Sequence, residues 1–484
     1  MARIQTPGLS ALLCLAGVLA AADLPAKIQQ ALDAATAIQR GFLGVAISDL
    51  SSGKILFANN ADRLFVPASN SKLFTAALAL TRLGPDYRFH TRVIASSEPD
   101  AEGRIDGSVS LVGGGDPNLS GRELPYRVDS PRGDGLHAIG ELADQILARG
   151  VRRIDGDIVG DDSVYPWEPY PDGWGLGDAV WEYGAPVSAL TINDNAFSLK
   201  LLPGDPARIS IDPPLEFYQI DNQVLPGPVK KIGIDREPGS MQLRIAGTMP
   251  LKDPGQSELL AIHDPALYAA VALRSALVQR GVAVRGEAVA RHAMPDQPVA
   301  PSTGIELARR ESAPLLEDLQ VMTKVSQNLH AELLLRAVAR ERRGDGSVRA
   351  GLDEMRLFLK EIGVTANEFH SRDASGLSRM NLVTPAAVVK LLRFMHRSPH
   401  RKSWMDLLPI GGEDGTLRLR MKDTVAAGRI HAKTGSLTHV VALSGYAERS
   451  DGTLLAFSLL ANNQNAPASE VRAVLDKICV LMTE

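Results

Sequence analysis

The run Pro67-Ala68-Ser69-Asn70-Ser71-Lys72-Leu73-Phe74-Thr75-Ala76-Ala77-Leu78-Ala79-Leu80 carries the first and strongest signal in the chain. Leu73, Ala76, Ala77 and Leu80 recur at helical spacing, and Gly84-Pro85 stops the pattern. Ser69 and Lys72 are three apart at the opening of this helix, so both face the same way. The helix N-terminus adds free N–H groups and positive potential beside them. Serine is a weak nucleophile at neutral pH and needs a base. A lysine one turn away can serve once burial and a neighbouring cation, here Lys433 if it converges, lower its proton affinity.

A second Ser-x-x-Lys, Ser51-Ser52-Gly53-Lys54, lies between two strand patterns, Gly44 to Leu50 and Ile55 to Ala58. Turn chemistry there puts it on a hairpin tip, where its serine and lysine share no helical face. Two downstream fragments complete the first motif instead: Ser326-Gln327-Asn328 and Lys433-Thr434-Gly435. Ser326 would relay a proton between Lys72 and a leaving amine, and Asn328 would hold a substrate amide. Lys433 and Thr434 would bind a carboxylate. Gly435 would let substrate lie against a strand, and the N–H groups of Ser69 and Ser436 would form an oxyanion hole. Each fragment alone is ordinary: a chance serine–lysine spacing, a polar helix edge, a strand-to-turn tripeptide. Their order and setting give them weight together.

The remainder of the chain bounds the answer. At 484 residues it exceeds one ordinary domain, and 45% hydrophobic with 22% charged residues is globular composition. A formal net charge of −4 gives no electrostatic case for nucleic acid or for an anionic membrane surface. Leu9 to Ala22 is apolar, too short for a comfortable span, and ends in Ala20-Ala21-Ala22, which predicts a secretory signal peptide over 1–22. Cys14 would leave with it, so Cys479 would be the mature chain's lone thiol, buried and inert.

Helices are expected over Lys27 to Gln39, Leu136 to Ala148, Pro265 to Gln279, Leu315 to Arg340, Val348 to Ile362, Pro385 to His396 and after Pro467. Ser326 lies 257 positions after Ser69, and the stretch between is rich in Gly and Pro and mostly strand-like. That is too long for a connection within one compact domain. Near the C-terminus Arg429 to Leu437, Val441 to Arg449 and Thr453 to Ala461 read as successive strands. The last helix packs better on a sheet than on a membrane, having only Arg472 and Lys477 as basic residues.

The three motifs resemble those of penicillin-recognising serine enzymes. Asp373-Ala374-Ser375-Gly376-Leu377-Ser378-Arg379 resembles the Asp-Gly-Ser-Gly-Leu-Ser-Arg signature of class C low-molecular-mass penicillin-binding proteins, with Ala374 in place of a glycine. Gly113-Gly114-Gly115-Asp116-Pro117, Gly156 to Asp161 and Asp414-Gly415-Thr416-Leu417 are similar to that family too. The resemblance implies a mixed α/β fold: a transpeptidase/β-lactamase-like domain with a central antiparallel sheet flanked by helices, over 23–92 and 306–484. It also implies an inserted domain over 93–192 and 256–305, with a nested β-rich domain over 193–255. The implied activity is a D-alanyl-D-alanine carboxypeptidase, with D,D-endopeptidase activity, working through a Ser69 acyl-enzyme. Implied partners are peptidoglycan stem peptides ending in D-Ala-D-Ala, and β-lactams as covalent inhibitors, in the periplasm or cell envelope with at most peripheral membrane contact. No cofactor or metal is implied. Arg379 and an acidic residue of the insertion, Asp162 with Asp161 next, would bind the zwitterionic end of a diaminopimelate side chain.

Three other chemistries fit less well. A class A β-lactamase would use a glutamate such as Glu168, but there the Ser-x-Asn motif precedes the glutamate, and Ser326 follows it. No H-E-x-x-H or G-x-S-x-G occurs. A non-turning-over β-lactam sensor on the same scaffold remains the alternative.

Overall fold

The structure, a computed structural model, describes residues 23–297 and 299–484. The expected signal peptide over 1–22 lies outside the described residues. At the centre is a five-stranded sheet in the order Ile430–Leu437, Val440–Glu448, Leu454–Asn462, Phe42–Asp49, Ile55–Asn59. Every neighbouring pair in it is antiparallel. Alternation along the strands sends side chains to two cores. Ala46, Ala442, Tyr446, Ala456 and Leu460 face the helix Ser71–Arg82. Val45, Ile47, Leu443, Ala447 and Phe457 face the helices Leu24–Asp33 and Ala468–Thr483. The terminal helix therefore packs on the sheet through Val471, Leu475, Ile478 and Cys479, and burial pushes the Cys479 thiol well up.

Ten of the twelve residues of Ser71–Arg82 are buried, from Ser71 to Leu80. A helix covered on nearly all sides has little freedom to shift, and each large apolar side chain it buries is worth roughly 1.5–3 kcal/mol. The neighbouring helices Leu315–Lys324, Asn328–Arg343 and Pro385–Arg397 supply the cover.

The chain leaves this body along His90–Ala95 and returns along Ile305–Glu311, and these two strands pair antiparallel. They belong to a second sheet, completed by Val109–Val112, Ile158–Pro166 and Ala288–Ala293, with His137–Ala148 and Pro265–Gln279 packed in its core. Two three-stranded sheets follow, one of Ala196–Leu202, Arg208–Asp212 and Gln256–Ala261, the other of Gln219–Pro226, Lys231–Asp235 and Gln242–Met249. Strand pairing falls across the expected cuts. Gln256–Ala261 bonds to Ala196–Leu202, and 305–311 bonds to 90–95. We propose cuts near 89 and 312 for the insertion, with 256–261 assigned to the nested unit.

Two helices differ from expectation. Leu24–Asp33 is capped by Asp23, which accepts the Ala26 N–H at 3.2 Å, and stops short of Gln39. The single helix expected over Leu315 to Arg340 is two, Leu315–Lys324 and Asn328–Arg343. The break is at Ser326, whose φ of +66° no helix accommodates.

Candidate active site

The turn before the helix Ser71–Arg82 sets the serine. Ala68 has φ +49°, a left-handed conformation costly for a residue with a Cβ. It leads into the 3-10 turn Ala68–Asn70, from which the helix continues. Asn70 Nδ2 donates to the Lys433 carbonyl at 3.0 Å and ties this turn to the strand Ile430–Leu437. Ser69 is half-buried, and Lys72 is fully buried.

Lys72 Nζ lies 3.0 Å from Ser69 Oγ, 2.6 Å from Asn328 Oδ1 and 2.8 Å from the Ser375 carbonyl. Burial brings its pKa down to about 7, against the pull of Asp373, Glu332 and Glu182, which raise it. Of the two causes expected from the sequence, burial carries this shift and the Lys433 charge does not. As an ammonium, Nζ donates to all three oxygens. As a neutral amine it has two N–H groups and one lone pair. With Asn328 and Ser375 as pure acceptors, the lone pair is left for the Ser69 hydroxyl.

The helix break presents Ser326. Gln327 caps the second helix by accepting the Leu329 N–H at 3.0 Å, and Ser326 Oγ accepts from Lys433 Nζ at 2.8 Å. Lys433 also donates to the Thr434 carbonyl at 2.8 Å. Burial and the nearby Lys72 push its pKa well below that of a free lysine. Thr434 Oγ1 is 2.8 Å from Thr416 Oγ1, in the Asp414-Gly415-Thr416-Leu417 segment. Asp414 in turn pairs with Lys324 at the end of the preceding helix, at 2.5 Å.

Ile430–Leu437 is the edge strand of its sheet. The Ala432 N–H turns away from the partner strand to the Pro409 carbonyl, 2.9 Å away. Alternation gives the N–H groups of Thr434 and Ser436 the same outward direction. Gly435 differs from expectation. A Cβ there would lie 2.8 Å from the Pro67 carbonyl and 3.1 Å from Ala68 Cβ. Its bare Cα makes room for the turn carrying Ser69, rather than for substrate.

Asp373 organises the remaining wall. Its carboxylate accepts from the N–H groups of Gly376 at 2.9 Å and Ser378 at 2.6 Å, from Asn381 Nδ2, and from Trp174 Nε1 at 2.9 Å. Arg379 is exposed, its guanidinium only loosely placed at 3.4 Å from the Thr438 carbonyl. Asp162 is not beside it. It is 1% exposed and holds Ser188 Oγ at 2.8 Å and His292 Nδ1 at 2.9 Å. Asp161 is likewise spent, on Ser163 and Ser302. On the insertion's side Tyr183 feels the Arg379 charge, and its hydroxyl donates to Asp178 at 3.3 Å. Glu168 is elsewhere, accepting the Val348 N–H at 2.9 Å at the start of the helix Val348–Glu361.

Sequence reasoning missed what the insertion contributes. The Tyr183 carbonyl accepts from Asn328 Nδ2 at 2.7 Å, and Glu182 accepts from Gln327 Nε2 at 2.5 Å. Asp194 gathers Arg122, Arg132 and His330. These contacts span 62 to 145 residues and leave no periodic trace. Only the Asp-x-x-Gly pattern around Asp373 hinted at a carboxylate that holds backbone.

A half-exposed serine in hydrogen-bond contact with a buried lysine, faced by a second serine–lysine pair across the edge of an antiparallel sheet, is the arrangement of a penicillin-recognising serine enzyme. The chain belongs to the D-Ala-D-Ala carboxypeptidase 3 (S13) family, whose profile it matches over residues 24–481. It is 33% identical over 465 residues to the D-alanyl-D-alanine carboxypeptidase of Actinomadura sp. (strain R39), covering 93% of this chain and 82% of that protein. With the D-alanyl-D-alanine carboxypeptidase DacB of Haemophilus influenzae it shares 27% identity over 433 residues, 87% of this chain and 85% of that one. The crystal structure of penicillin binding protein 4 from H. influenzae has the same fold: TM-score 0.80 at 24% identity, covering 93% of this chain and 97% of that one. The protein is a serine-type D-Ala-D-Ala carboxypeptidase.

Proposed function

We propose that Ser69 is the nucleophile and neutral Lys72 its base. Lys72 takes the Ser69 Oγ proton as Oγ attacks the carbonyl carbon of the penultimate D-Ala. The N–H groups of Ser69 and Ser436 hold the oxyanion. The proton passes from Lys72 through the Ser326 hydroxyl to the nitrogen of the departing D-alanine, and water then hydrolyses the ester. Lys433 and Thr434, steadied by Thr416, take the substrate's terminal carboxylate. That negative charge draws a proton back onto Lys433, which burial otherwise disfavours. Asn328 has both ends of its amide engaged, so its part is to hold Lys72 as well as to meet the substrate backbone.

The observation that carries this reading is the three-oxygen setting of Lys72, which aims one lone pair at Ser69. The test is D-alanine release from a pentapeptide ending in D-Ala-D-Ala, by wild type and Ser69→Ala. Release by wild type alone supports it. Labelled penicillin bound without any release would favour a sensor on the same scaffold.

The same serine would open a β-lactam ring and keep the acyl group. The H. influenzae protein has been solved with a β-lactam, in a structure of TM-score 0.77 and 22% identity to this chain. Cutting cross-links as an endopeptidase needs only that the departing amine belong to a longer D-centred residue in place of D-alanine. Arg379 and Asp178 would hold the two charges of a diaminopimelate end. Cell-wall substrate and the apolar run from Leu9 to Ala22 favour export to the periplasm or envelope; among the described residues no helix is long and apolar enough to cross a membrane.

A further inference from the structure

Glu332 lies one helical turn beyond Asn328 on the same face and is fully buried. Its carboxylate accepts the Ser375 N–H at 2.8 Å and the Ala374 N–H at 3.1 Å. Among the described residues it has no ion pair, and the sequence motifs do not include it. A buried carboxylate held by two amides alone is expensive to keep ionised. Few places in a fold retain one without a use for its charge.

Its surroundings indicate that use. The amides it grips belong to the turn whose Ser375 carbonyl receives Lys72 Nζ at 2.8 Å. The charged groups facing it are Lys72 from the nucleophile helix, Asp373 from the turn, and Arg336 from the next turn of its own helix. Glu182 and Lys433 reach the same cluster through Lys72.

We propose that Glu332 is a positioning residue for acyl transfer: it fixes the Ala374–Ser375 turn that receives Lys72, and its negative charge sets how strongly Lys72 holds a proton. The assignment rests on Ser69 and Lys72 being the acylating pair. Burial, with the Asp373 charge adding to it and the Ser375 and Ala374 bonds opposing, brings Glu332 up to about 7, the same range as Lys72. The two groups thus compete for protons around neutrality. When Ser69 gives up its proton, Lys72 becomes an ammonium and an ionised Glu332 stabilises it.

The test is the pH dependence of acylation by a chromogenic β-lactam for wild type, Glu332→Gln and Glu332→Asp. Without the charge, the Lys72 ammonium loses a stabilising neighbour and its pKa falls. The midpoint of the acid limb should therefore move down by about one pH unit in Glu332→Gln, with the midpoint restored in Glu332→Asp. A uniform loss at every pH with the midpoint unmoved would reduce Glu332 to a structural support and overturn the proposal, as would a wild-type profile. If Glu332→Gln does not fold, judged by its melting transition, wild type still decides. The Lys72 13Cε resonance, assigned by its absence in Lys72→Ala, should titrate in two steps because of the coupling. A single step would overturn the proposal. Failure of the Ser69 assignment would show separately, as acylation surviving in Ser69→Ala.

Discussion

Lys72 is held where a cation is penalised and where three oxygens await it, and both facts have measurable consequences. With its pKa near 7, the base form is present above that pH and lost below it. The value of kcat/KM for acylation should fall roughly tenfold per pH unit on the acid side of about 7, as one proton blocks the lone pair. The linked effect on stability has the opposite origin. The unfolded lysine keeps its proton up to its ordinary value, so burying Lys72 costs stability at neutral pH, and that cost shrinks as the solution is made more alkaline. Lys72→Ala removes the base and should slow acylation by about 100- to 10,000-fold, measured with fluorescent penicillin at neutral pH. The residue scale was also where the sequence was most legible. Ser69, Lys72, Ser326, Asn328, Lys433 and Thr434 converge because each lies in a short motif with its own geometry. Asp162 does not, because choosing an acidic residue from a loop-rich stretch requires knowing how the loop folds back. Asp178 is sixteen positions further on, past a turn anchored by Trp174 on Asp373.

Between the elements, the close approach of the edge strand to the nucleophile turn matters most. Gly435 makes it possible, with the Pro67 carbonyl 2.8 Å from where a Cβ would sit. The obstruction is backbone on a turn already strained at Ala68, so it cannot swing aside. Gly435→Ala should leave the protein folded but displace Ser69 against Lys433, lowering acylation by about 100-fold with little change in melting temperature. An acylation rate equal to wild type would show that the turn relaxes. Most helices and the sheet strands follow from hydrophobic periodicity, as in His137–Ala148, which buries Ile139, Leu142 and Ile146 at helical spacing, and Val109–Val112. The break at Ser326 does not. Leu315 to Arg340 stays rich in apolar residues across it, because both halves pack into the same core. Only the local chemistry of Ser326-Gln327-Asn328, a cap in the middle of the pattern, marks where the chain must turn to present the hydroxyl.

For the molecule as a whole, the insertion is part of the catalytic body. Glu182 and Tyr183 grip the Ser-x-Asn motif, Trp174 grips Asp373, and Asp194 joins Arg122 and Arg132 to His330 on the helix that begins with Asn328. Burial works to raise the Asp194 carboxyl, but Arg122, His330 and Arg132 outweigh it and hold it well below the usual carboxylate range. Its contribution to stability is therefore complete above the unfolded carboxylate value, about pH 4, and drains away as the pH falls below that value. Asp194→Asn takes from two guanidinium groups the carboxylate they bond. It should cost about 3 kcal/mol in denaturant unfolding at neutral pH and lower the acylation rate with it. Unchanged acylation in that variant would mean the insertion is only attached to the site. The account as a whole stands on Ser69 carrying the acyl group, and mass spectrometry of the protein after brief exposure to benzylpenicillin tests that directly. The account predicts one penicilloyl adduct per chain, on the peptide containing Ser69, and none in Ser69→Ala. An adduct on another residue, or one that persists in Ser69→Ala, would contradict it.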